Sequence, residues 1–99
     1  MSTEMKTAKK AIQDKIESQI HSIQARLELL KAKAEAGKAN AELKLIADLF
    51  AKRLTIDHKL GELKGSGETT YQQTKSDVEA RVAELEKSLK ALETKLKAA

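Results

Sequence analysis

Two histidines are the residues in this 99-residue chain with the most chemical range, and their placement argues against using it. His21 and His58 lie 37 positions apart, and neither has a second His or a carboxylate at a repeated metal-ligand spacing. Asp57 adjoins His58, but residues i and i+1 on a helix do not share a face, so the pair is not set up for general base chemistry. There is no Cys, which removes thiolate metal sites, disulfide staples and thiol nucleophiles together. Gly65-Ser66-Gly67 is rich in glycine, but no strand precedes it and it lacks the Lys-Ser/Thr ending of a phosphate loop. No Ser-His-Asp arrangement, paired-carboxylate cleft or dinucleotide fingerprint is present. The residues therefore predict no catalytic site, no metal site, no cofactor and no small-molecule substrate: a non-enzymatic protein.

The remaining polar residues of note are Arg53 and Lys75, which fall in slots of an otherwise apolar pattern. Long basic side chains can lay their stems on such a pattern and keep their charge in water. The sharper reading is a register-setting polar pair, or a contact with a partner's carboxylate.

That apolar pattern dominates the chain. Ile20, Ile23, Leu27, Leu30 and Ala34 step by three and four, as do Leu49, Ile56, Leu60 and Leu63 with Arg53 in one slot. After Gly65-Ser66-Gly67 come Tyr71, Val78, Val82, Leu85, Leu89, Leu92 and Leu96, with Lys75 in one slot. Spacing of this kind draws a narrow apolar stripe along a helix, which must pack on another helix. With 34% charged residues, no Pro and one Phe and one Tyr as the aromatics, the core must be built from aliphatic side chains. The class is all-α, in one domain over residues 1–99.

Gly65-Ser66-Gly67 is the strong break. Gly65 is placed to take a left-handed cap, and Thr70 with Gln73 is a candidate capping box for a new helix starting near 69 or 70. Glu86–Lys90 and Glu93–Lys97 support that helix on its outer face. Gly37 is the weaker break. Ala34, Gly37, Ala41, Leu45 and Leu49 carry the stripe through it without an insertion, and a turn has no reason to keep that phase. The favoured arrangement is therefore an antiparallel helical hairpin, with a long helix over about 4–64 and a second over about 69–97. The alternative is a three-helix bundle with a break near 37–40.

In the hairpin, a first helix of ~60 residues spans ~90 Å and the second only ~43 Å. Met5, Ala8, Ile12, Ile16, Ile20, Ile23, Leu27 and Leu30 would lack a partner within the chain. Leu43, Ile46, Phe50 and Leu54 form a second stripe, roughly 130° around the helix from Leu45, Leu49, Ile56 and Leu60. Unpartnered apolar seams mark association surfaces. The predicted self-association interface is Ile16, Ile20, Ile23, Leu27, Leu30, Leu43, Ile46 and Phe50, and the predicted partner is another copy of the chain.

Net charge is +4. Residues 1–40 hold eight Lys or Arg against five Asp or Glu, 41–64 five against four, and 65–99 six against six. So small and interleaved a surplus argues against a nucleic-acid stripe, and stacking aromatics are absent. An anionic membrane or granule surface is the stronger alternative, because Lys6, Lys9, Lys10 and Lys15 flank the Ile-rich start. Met1 to Ile12 is charged and lacks an apolar run, so no secretory signal is expected, and no stretch approaches the ~20 apolar residues that span a bilayer. The expected location is the cytoplasm.

From Ile23–Leu30 into Lys31-Ala32-Lys33-Ala34-Glu35, and then through Leu60, Leu63-Lys64, Ser66-Gly67, Tyr71, Lys75 and Val78-Glu79-Ala80, the chain resembles small bacterial coiled-coil proteins linked to stress responses, known best from cyanobacteria. The family usually has Trp soon after the Ser-Gly turn, where this chain has Tyr71 one residue later. The resemblance implies a helical, self-associating protein of bacterial stress physiology with no catalytic residues.

Overall fold

Three helices account for nearly all of the chain. A computed structural model describes residues 3–98, with side chains described over 8–67 and 69–97. Helix α1 runs Thr3–Ala36, α2 Asn40–Gly65 and α3 Glu68–Ala98, with no strand among the described residues. The expected uninterrupted helix over 4–64 is thus broken at Gly37-Lys38-Ala39. Turns of three and two residues send α2 back along α1 and α3 back along α2. The Cα trace is 54 Å long, the length of a helix the size of α1 rather than the ~90 Å of a fused one.

The first turn closes in a way the glycine alone does not indicate. The Ala39 N–H donates to Ala34 O at 2.8 Å, and the Lys38 N–H to Glu35 O at 3.2 Å. This is the paired closure that needs one left-handed residue just past the helix end. That residue is Lys38, at φ 55°, and Gly37 one position earlier keeps a negative φ. Ala39 rests on the core beside buried Ala34, which is the apolar contact expected of such a closure. The closure consumes few residues and leaves the upstream stripe intact, so the apolar pattern carries no trace of it.

At the second turn Gly65 ends α2 without a left-handed conformation. Ser66 caps instead, in extended backbone, its N–H and its hydroxyl both donating to Leu63 O at 3.2 and 2.8 Å. The helix start expected near 69 or 70 lies at Glu68, so Thr70 sits within the first turn. Its hydroxyl donates to Gly67 O rather than capping.

The core is one aliphatic column. Ile16, Ile20, Ile23, Leu27, Leu30 and Ala34 come from α1, Ile46, Leu49, Ile56, Leu60 and Leu63 from α2, and Tyr71 to Leu92 from α3. Among the described residues, no buried one is polar or charged. Most of the four-three alternation of the sequence is therefore spent inside the chain, each helix burying one stripe against the other two.

Candidate functional site

The interfaces between helices are where charged and apolar groups meet, and residue spacing assigns them. Positions seven apart on a helix share a side. On α1, Glu17 faces α2, where Lys64 meets it at 3.4 Å, so Lys10, Gln24 and Lys31 line the same side. Arg26 faces α3, with Gln19 and Lys33 on its side. On α3, Glu79, Glu86 and Glu93 make a heptad row toward α1. On α2, Lys59 lies 4.0 Å from Asp77 of α3, and shares its side with Leu45 and Lys52.

The strongest polar contact joins the first and third helices. The Arg26 guanidinium donates from Nε to Glu93 Oε2 at 3.0 Å, grips the second carboxylate oxygen through Nη2, and reaches Glu86 at 3.4 Å. A two-pronged contact of this kind is among the stronger ion pairs. The hydrogen bond from Arg26 holds the Glu93 carboxyl below the usual carboxylate range, and Glu93 in turn raises the Arg26 pKa. Glu86 and Glu93, expected to support their own helix, reach across to α1 instead. This clamp is absent from the expectations drawn from the sequence. Its signal was the heptad row of Glu79, Glu86 and Glu93, which needs a basic row opposite.

A second polar tie closes the far end, where Lys95 lies 3.3 Å from Glu42. The Glu42 carboxyl is held down by its own backbone N–H and then by Lys95. Tyr71 is buried under the Lys9 ammonium, 4.5 Å from the ring centre, and burial pushes its phenol up, Glu79 adding to the shift.

Arg53 and Lys75 occupy their expected seam slots and are half-buried. Arg53 bonds Asp57 of its own helix at 2.7 Å, and its Nε is buried without a partner among the described residues. Lys75 lies 4.0 Å from Glu79. His21 and His58 are exposed, and among the described residues no group of three His, Asp or Glu is placed to hold a metal.

Of the eight residues assigned to self-association, Ile16, Ile20, Ile23, Leu27, Leu30 and Ile46 lie in the chain's own core, covered by neighbouring helices. Leu43 and Phe50 are half-buried beside that core. In this conformation the eight do not form one outward surface. Ala8 is exposed and Ile12 half-buried; the Met5 side chain lies outside the described residues. Among the described residues, the large apolar side chains left facing out are Leu29, Leu45 and Leu54, at 66%, 49% and 59% exposure. Leu45 stands beside Leu49, Ala91 and Leu92 at the end of an open groove between α2 and α3. Farther along, the groove passes Lys52, Arg81 and Glu84 above Ile56 and Leu85. No described helix is long and apolar enough to cross a membrane.

Comparison with protein-family models, curated proteins and solved structures finds no match to this chain. The arrangement itself offers aliphatic packing and ion pairing between helices.

Proposed function

We propose that this chain is a non-enzymatic, self-associating helical protein whose basic unit is an up-down-up three-helix bundle. The observation that carries the reading is the division of side chains. Every buried residue among those described is hydrophobic, and the cross-helix ion pairs lie at the edges of the core, where they select helix partners rather than bind a ligand. Self-association draws on the same chemistry, since faces that pack within one chain can pack between two. Light scattering across a wide concentration range tests it. A mass that rises from one chain toward two supports the reading, and a single-chain mass at every concentration rejects it. The resemblance to stress-linked bacterial coiled-coil proteins suits this role and sets a physiological context to examine.

A second reading, reversible binding to an anionic membrane or granule surface, is favoured by Lys9, Lys10 and Lys15 around half-buried Ile12. Co-sedimentation with liposomes separates the two. Binding that rises with anionic lipid content supports the second, and a salt-steep shift of nucleic acid would point away from both.

A further inference from the structure

Local sequence and local backbone conflict at the turn between α1 and α2. Lys38 holds φ 55°, a conformation that favours glycine, while Gly37 beside it does not use its freedom. Ala39 opens α2 with no side-chain hydrogen bond to cap it. Residues 36–41, Ala-Gly-Lys-Ala-Asn-Ala, contain no proline or β-branched residue and would continue a helix at the cost of one glycine.

The apolar pattern also fits a straight path. Ala34, Gly37, Ala41, Leu45 and Leu49 stay in phase on an unbroken helix. In the bent chain Ala34 and Leu49 of that stripe stay buried and Ile46 joins them, while Ala41 and Leu45 are left exposed. Leu45 is thus an apolar residue placed for the straight path and stranded by the bent one. The small residues at 34, 37 and 41 would let two such helices approach closely about a two-fold axis.

We infer that the turn is a hinge, and that a second copy of this chain is its partner. In the exchanged form residues 36–41 become helical and α1 and α2 fuse. The α1 half of each copy then packs on the α2–α3 hairpin of the other. The core and the Arg26–Glu93 and Glu17–Lys64 pairs re-form between chains with the same residues, so the exchange loses only the strained turn. Leu45 gains cover near the axis. This rests on the self-association reading and supplies its route.

The chain has no Cys, so Ser18→Cys and Gly61→Cys, both exposed, admit a donor and an acceptor dye. They lie close in the bent chain, where Glu17 meets Lys64, and about 65 Å apart on a fused helix. A trace of doubly labelled chain is refolded with excess unlabelled chain at high concentration, and species are separated by sedimentation. A dimer that has lost energy transfer is the expected result. Lys38→Gly, which relieves the turn and penalises the fused helix, should weaken that dimer at least about tenfold. A dimer that keeps its transfer overturns the exchange while leaving self-association standing. A chain that stays monomeric throughout overturns both. Lys38→Gly dimerising as tightly as the parent also overturns the hinge.

Discussion

Lys38, at φ 55°, marks the place where the three-helix arrangement leaves the straight path that the side-chain pattern favours. A non-glycine residue in the left-handed region costs about 1–2 kcal/mol, and glycine there gives part of it back as unfolded-state entropy. Lys38→Gly is therefore expected to stabilise the bundle by about 0.5–1 kcal/mol, read as a higher urea midpoint at unchanged slope. Gly37→Ala is a poorer discriminator, because Gly37 has negative φ and an added Cβ would meet Lys33 O at 3.4 Å, an ordinary contact. The Arg26–Glu93 clamp makes a second prediction. The Glu93 carboxyl is depressed chiefly by the Arg26 hydrogen bond. A depressed folded-state pKa gives stability that is present above the unfolded value of about 4.3 and is lost as pH falls through the folded one. Glu93→Gln should cost about 0.5–1 kcal/mol at pH 7, and parent and variant should converge in strong acid. Equal thermal midpoints at pH 7 would remove the clamp from the list of stabilising contacts.

Among the helices, α3 was the most legible and α2 the least. From Tyr71 to Leu96 the stripe has one solution, and the structure buries it as one face, Leu96 half-buried at its end. In α2 two overlapping stripes compete, and spacing alone does not rank them. The bundle takes residues from both: Ile46 joins Leu49, Ile56, Leu60 and Leu63, while Leu45 and Leu54 stay exposed. The choice is made by the direction in which α2 leaves the turn, which depends on Lys38 and on no periodic property. Pattern marked the apolar stripe residues of α1 and α2, and in the three-helix arrangement most of them pack in the chain's own core. Arg53 carries the prediction for this helix. It fills a core slot with its side chain 18% exposed, and its Nε donor has no partner among the described residues. An unsatisfied buried donor costs about 1–3 kcal/mol, more than its exposed-edge pair with Asp57 returns. Arg53→Leu should therefore raise stability by about 1 kcal/mol in chemical denaturation. A loss of stability would mean that Arg53 meets a need the bundle does not display.

For the molecule as a whole, the decisive quantity is where the isoleucines and leucines of α1 find their cover. A hairpin leaves Ile23 and Leu27 to another chain. The bundle buries both completely beneath α2 and α3. Replacing both with Asp puts two unpaired charges into that layer, and each costs several kcal/mol when desolvated. Small domains hold only about 5–15 kcal/mol against unfolding, so no arrangement that keeps these residues inside survives the pair. The expected outcome for Ile23→Asp with Leu27→Asp is loss of far-ultraviolet helical signal across the whole chain at any concentration. A hairpin oligomer responds differently, falling to a smaller species in which residues 45–96 stay helical. Circular dichroism together with a mass measurement on the same sample distinguishes them. An unfolded monomer supports the bundle, whereas a folded, smaller particle returns the cover of α1 to a neighbouring chain.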